Sequence, residues 1–356
     1  MLVKKNILIM HPTDKGACAF YRCHFMADIL RSQLGGEVEP LVTPAEITDE
    51  YILAHTAAIV VYRPHTDEHV TLIRNYGRKK NKLKYRIFAD YDDVIWNVNG
   101  HSLIPDYNKC GINTDKATDN IHSFINYLDG VTLSTKNLET FFLNQFGTKF
   151  PNTKILPNAI PRYLFGYDVR KIEKSIKKPV VLYGGSSTHY MDGEYGDFGD
   201  GVAEWLYEQV YRDKIELHMF DVPWFLEGVK DKIKLHDKVS ALEYPYIARS
   251  IKPDFYLAPL AENWFNKAKS NLKLLEASAL GAILMGSVFP DSPYNDAPLA
   301  NHLNRPFEKL LDVNIFNMVL QMQYMFMEKN ELWMDSLPYI KRWLQTYFGN
   351  DINANF

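Results

Sequence analysis

The chain has 356 residues, 46% of them hydrophobic and 23% charged, and a formal net charge of −3. That length and balance allow two buried cores, and the charge excludes a protein coated in basic residues for nucleic acid, leaving room only for a local basic patch. No apolar run approaches the ~20 residues that span a bilayer and no signal-type start is present, so a cytoplasmic protein without a transmembrane segment is expected.

The first predicted element is a strand at NILIM, residues 6–10. His11 follows it directly, where ligands approach in open parallel sheets, yet a hydrogen-bonded structural histidine is the favoured reading. Cys18, Cys23 and Cys110 match neither a disulfide framework nor a zinc knuckle and are read as reduced thiols. Apolar residues three and four apart predict one-sided helices over 23–34 and 118–128. Between and after them, further strands are predicted at 57–63, 85–91, 130–134 and 154–158, and this alternation is that of a parallel sheet with crossover helices. Arg22 and Arg63 are placed at or near strand ends, available to an anion or to an ordinary salt bridge. The basic run RKKNKLKYR, Arg78 to Arg86, fits a solvated helix end and also an anionic surface contact.

Residues 157–179, with two early prolines and then a basic and polar stretch, are the predicted linker. Strands resume at 180–185, 215–220, 254–260 and 282–287, which predicts a second sheet of the same kind. Gly184, Gly185 and Ser186 follow the first of these as a small turn suited to phosphate, with His189 near it either as a further contact or as a solvated loop residue. The glycine-rich acidic stretch with Asp192, Glu194, Asp197 and Asp200 lacks calcium-loop spacing and reads as a surface loop or lid. At the end, Trp333, Leu337, Ile340, Trp343, Leu344 and Phe348 predict a docking helix within 331–348.

One stretch carries the chemistry. In KSNLKLLEASALG, residues 269–281, a helix capped by Ser270 has Lys273 in its third position and Lys267 and Lys269 just before it. Lysines there oppose the helix dipole at a cost of about 0.3 to 1 kcal/mol each unless an anion neutralises them. Phosphate fits, because free N–H groups at a helix start already point at such an anion. Glu276 falls inside the apolar stripe and needs partners. Either Lys273, three residues earlier, or a pair of ligand ribose hydroxyls supplies them. Asp90, Asp92 and Asp93 resemble an Asp-x-Asp metal motif, yet they end a strand far in sequence from the lysines. Asp92 or Asp93 then either orients an acceptor hydroxyl or caps the next turn.

The segment APLAENWFNKAKSNLKLLEASALGAILMGS (258–287) resembles the donor-site segment of the GT-B glycosyltransferases of the group-1, family-4-like kind. GACAFYRCHFMADIL (16–30), YRPHTDEHVTLIR (62–74), FADYDDVIW (88–96), DGVTLSTKNL (129–138), ILPNAI (155–160) and YGGSSTHYMD (183–192) are similar to other elements of that group, in the same order. The resemblance implies an α/β fold of two Rossmann-like parallel-sheet domains facing a cleft. Residues 1–163 would form an acceptor-side domain and 164–330 a nucleotide-sugar domain, with a helix within 331–356 packing back on the first. It implies retaining transfer of a sugar from a nucleoside-diphosphate sugar to a hydroxyl; because the lysines and the helix dipole can do a divalent ion's work, no cofactor or obligatory metal is expected. By position, Glu276 looks like the acid that holds the ribose; Lys269 and Ser270, helped by Lys267 and Lys273, would meet the donor phosphates, and Gly16 would lie close beneath the donor. Eight positions before Glu276, where many members carry a first glutamate, this chain has Ala268; Glu262 in the preceding loop is the expected replacement.

An epimerase or a nucleotide-sugar-binding protein on the same scaffold is the other expectation. A nicotinamide dehydrogenase is disfavoured, because no G-x-G-x-x-G follows the first strand of either half. The acceptor is expected to be a glycan or lipid-linked precursor, or a hydroxymethylated base of phage DNA in a host cytoplasm.

Overall fold

The computed structural model describes residues 6–12, 16–97, 113–147, 152–166, 170–185, 189–190, 195–199, 201–295 and 307–349. Its first sheet has six strands, β1 (Asn6–His11), β2 (Val38–Val42), β3 (Thr56–Tyr62), β4 (Arg86–Tyr91), β5 (Gly130–Leu133) and β6 (Thr153–Ile155), in the order β2-β1-β3-β4-β5-β6. The second has five, β7 (Val180–Tyr183), β8 (Glu216–Met219), β9 (Lys234–Leu235), β10 (Phe255–Ala258) and β11 (Ile283–Gly286), in the order β11-β10-β7-β8-β9. Every strand pair in both sheets is parallel.

Parallel strands are covered on both faces, so their sequences read as unbroken apolar runs. AAIVVY in β3 and FYLA in β10 do so, and from Ala58 onward in β3 and throughout β10 the side chains are buried. Both inner sheets were therefore visible in the sequence. β2 was not, because Glu39 and Pro40 interrupt its run; it lies at the sheet edge, where a proline costs no ladder bond.

The predicted helix at 23–34 is two pieces. A π-helical turn, Phe20–His24, leads into the helix Phe25–Gln33 and swings Tyr21 and Arg22 inward, both buried. Arg22 is thus a helical residue and not a strand-end one. The run Arg78–Arg86 is the last turn of the helix Asp67–Leu83 and the entry to β4. There Lys80 bonds Asp129 at 2.9 Å and Lys82 bonds Glu50 at 2.9 Å.

The closing helix, Leu337–Phe348, returns to the first sheet. Phe88 of β4 meets Tyr347 edge-on at 5.3 Å, and the Tyr347 hydroxyl lies 3.1 Å from that of Thr132 in β5. Ile340, Trp343, Leu344 and Phe348 are buried as their spacing predicts, whereas Leu337, in the first turn, is exposed. Among the described residues no helix is long and apolar enough to cross a membrane.

His11 ends β1 buried, with Nε2 3.0 Å from the Tyr76 hydroxyl. It is a structural histidine. Burial, and then the charge of His69, lower its pKa to about 4 from 6.5, and burial with His65 does the same to His69. Between those values the unfolded chain binds protons that the folded chain does not, so unfolding free energy rises with pH and is lost as pH falls from 6.5 towards 4. Urea titrations across that window should show this slope, and His11→Gln should remove about half of it, leaving the share of His69.

Candidate functional site

The carboxyl ends of the parallel strands converge on one cavity of about 400 Å³. The stretch after β1 contributes Gly16 and Ala17, and the π-helical turn that follows contributes Tyr21. Gly184 and Gly185 follow β7, Phe220 and Asp221 follow β8, and Lys238 to Ala241 follow β9. The helix Leu272–Leu280 contributes Lys273 and Glu276. Strand ends facing a crevice are where open parallel sheets bind ligands, and here both sheets supply a wall.

Glu276 is the floor of this cavity and is 2% exposed. Its Oε1 accepts a hydrogen bond from Tyr21 at 3.0 Å, and its Oε2 accepts from Tyr256 at 2.7 Å and from Lys273 Nζ at 2.9 Å. A carboxylate offers about four lone-pair sites, so three are used and one on Oε1 is left. Tyr21 comes from the first half of the chain, making Glu276 a joint between the two sheets. Burial, and then the adjacent carboxylate, push the Tyr21 and Tyr256 hydroxyls up, which keeps both as donors.

Tyr244 completes the network with its hydroxyl 2.6 Å from that of Tyr256. A Cβ on Gly184 would lie 2.3 Å from both hydroxyls, so this glycine makes room for the tyrosine pair. Lys273 Nζ also donates to the Gly184 carbonyl at 3.0 Å. The i, i+3 pair with Glu276 and the position in the cavity wall therefore coexist.

The start of the lysine helix differs from expectation. Its N-cap is Asn271, without a side-chain cap bond, and Lys273 is its second residue. Ser270 does not cap, because its hydroxyl accepts from Asn158 Nδ2 at 2.7 Å, a tertiary partner from the other half of the chain. Lys269 Nζ lies 3.8 Å from Asp93 Oδ2 and 4.7 Å over the Phe265 ring, and Lys267 pairs with Glu262 at 3.2 Å. Of the expected donor residues, Gly16, Gly184, Gly185, Lys273 and Glu276 line the cavity; Lys267, Lys269 and Ser270 stand outside its lining. Ser186 lies outside the described residues, as do Asp192, Glu194, Asp200 and Cys110.

Asp92 is buried, with Oδ1 accepting from Arg63 Nε at 2.6 Å and from the Tyr62 hydroxyl at 2.8 Å. Burial alone would raise this carboxyl; the Arg63 guanidinium outweighs it and holds the group below the usual carboxylate range. Asp93 accepts the Val94 N–H at 2.9 Å, closing the turn after β4. Arg22 and Arg63 are thus salt-bridge partners, of Asp90 and Asp92. Among the described residues no group of three His, Cys, Asp or Glu side chains is arranged to hold a metal ion.

His189 Nδ1 lies 2.7 Å from Asp197 Oδ2. Asp197 Oδ1 accepts the Ala261 N–H at 2.8 Å and Asn266 Nδ2 at 2.7 Å. Burial would raise the Asp197 carboxyl, but His189 and then Lys269 hold it down. Asp197 is therefore an anchor for the loop that carries Glu262, and His189 is tied to it instead of being solvated. Reading the sequence missed Tyr21, Tyr244, Tyr256 and the loop Lys238 to Ala241. The available signal was the tyrosine in β10 two residues before the strand leaves the sheet.

No protein-family model matches the sequence, and no curated protein matches it. Solved structures do match. HepE of Anabaena, in complex with UDP and glucose, has a TM-score of 0.56 at 9% identity, over 96% of this chain and 99% of that one. Its complex with UDP-glucose has 0.56 at 11%, over 96% and 98%. A glycosyltransferase from Rickettsia africae has 0.57 at 11%, over 98% and 99%. The fold is GT-B. At these identities the likeness is one of fold, and the two sheets of the GT-B architecture frame the cavity around Glu276.

Proposed function

We propose that this chain is a glycosyltransferase that moves a sugar from a nucleoside diphosphate to an acceptor hydroxyl, with retention at the anomeric carbon. The observation that carries the reading is the buried Glu276 carboxylate in the floor of a cavity walled by both sheets, with Lys273 and the Gly184–Gly185 backbone beside it. A GT-B neighbour, HepE, is solved with UDP and UDP-glucose, which supports a nucleotide-sugar donor in the corresponding cleft.

In this reading the remaining lone pair on Glu276 Oε1 receives a ribose hydroxyl. The departing diphosphate is met by Lys273 and by N–H groups at the start of the helix Leu272–Leu280, which has no side-chain cap. Fixed donors in a water-poor cleft stabilise developing charge without reorganising, and no metal is required. Lys267, Lys269 and Ser270 flank that helix start. Asp92 is spent on Arg63, so the acceptor-orienting part is assigned to Asp93, and Glu262 to the transferred sugar. Acceptors proposed are a glycan or lipid-linked precursor and a hydroxymethylated base of viral DNA; salt-sensitive retention on duplex DNA marks the second.

The test is incubation with UDP-sugars and candidate acceptors, followed by NMR of the sugar. Transfer that needs the acceptor and persists in chelator supports the proposal. A sugar altered with donor alone identifies an epimerase and contradicts it.

A further inference from the structure

The helix Val313–Lys329 carries no charged residue from Val313 to Met327. One face is buried on the second sheet through Phe316, Val319, Leu320 and Met327, and Gln323 fastens it there by accepting from Leu284 N and donating to Ala282 O, each at 2.9 Å. The opposite face is mixed, with Asn314, Gln321 and Glu328 exposed on it and three methionines among them. Met318, Met322 and Met325, four and three residues apart on one stripe, are 52%, 43% and 58% exposed.

The segment 170–178 runs along one flank of this helix. It is clamped to the helix by Asn317, which accepts from Ile172 N and donates to Ile172 O, both at 2.9 Å. Arg170 and Lys178 are used, by Asp254 and Asp213. Lys171, Lys174 and Lys177 are exposed, and no ion pair engages them among the described residues. Glu173 is the one acid within the segment.

We infer that this face docks on an anionic lipid surface, with the methionines entering the acyl boundary and the three lysines meeting headgroup phosphates. Flexible thioether side chains adapt to an irregular apolar medium, and exposed lysines on the neighbouring segment add attraction to anionic headgroups. Charge selects the occupant. A second copy of this chain would bring three more uncompensated lysines to the seam, and a nucleic acid would satisfy the lysines while leaving the methionines wet. The inference is independent of the nucleotide site.

The full-length protein is to be sedimented with vesicles of phosphatidylcholine, with and without an equal part of phosphatidylglycerol. Co-sedimentation with the anionic vesicles alone, weakening as salt is raised, is expected. Two variants should each weaken it about tenfold or more with thermal unfolding and nucleotide binding unchanged: M318S/M322S/M325S and K171E/K174E/K177E. The pair R78E/K79E, in the other basic segment, should have no effect. Absence of wild-type binding, full binding by either triple variant, or loss confined to R78E/K79E overturns the inference. So does a dimer in gel filtration that the methionine substitutions dissociate, because a second copy then covers the face.

Discussion

Glu276→Ala is expected to abolish measurable nucleoside-diphosphate binding and to cost about 2–4 kcal/mol of unfolding free energy. Both effects come from the same three donors. Without the carboxylate, Tyr21 loses its acceptor at the junction of the two sheets, while the Tyr256 hydroxyl loses its own acceptor and keeps contact with Tyr244 and Lys273. Lys273 keeps only the Gly184 carbonyl and the Tyr256 hydroxyl. The buried network makes this substitution costly to the fold as well as to the site. Glu276→Gln separates the roles, since it preserves shape and one acceptor while turning an N–H₂ toward a donor. Its stability loss should be smaller, about 1–2 kcal/mol, with binding still weakened more than tenfold. Urea unfolding and calorimetry on both variants check this, and unchanged binding by Glu276→Gln would refute the ribose assignment.

Asp90→Ala should be the most destabilising single change in the first sheet, by about 3–5 kcal/mol. Arg22 and Asp90 are almost wholly inaccessible, joined through Nε at 2.9 Å and a second bond from Nη2. Burial would lower the Arg22 guanidinium; Asp90 more than compensates and holds it charged. Removing the acid leaves that cation buried with only the Leu156 carbonyl at 2.8 Å and Asn158 Oδ1 at 3.2 Å. Asn158 in turn donates to Ser270 at the mouth of the lysine helix, so the pair also braces the site from behind. R22M/D90L removes both charges together and should recover at least half of the loss. A double variant no better than Asp90→Ala would mean that the surrounding hydrogen bonds, and not the lone buried charge, set the cost.

Most strands were legible because parallel sheets demand continuous apolar runs, and the joint placement of Lys273 and Glu276 was legible because helical spacing fixes it. What the sequence withheld was tertiary. Ser270 is as good a cap as Asn271 by intrinsic preference, but its hydroxyl is claimed by Asn158, more than a hundred residues earlier. Asp92 looked available for chemistry until β3 placed Arg63 and Tyr62 against it. Tyr21 reaches Glu276 only because a π-turn rotates it inward and both sheets meet there.

The central claim is that the cavity between the sheets holds a nucleoside diphosphate, and a crystal structure of the protein grown with UDP tests it most directly. The account predicts diphosphate oxygens within hydrogen-bond distance of Lys273 Nζ and a ribose hydroxyl on Glu276 Oε1. UDP bound elsewhere on the protein, with Tyr21, Lys273 and Tyr256 still closed over an untouched Glu276, would contradict it.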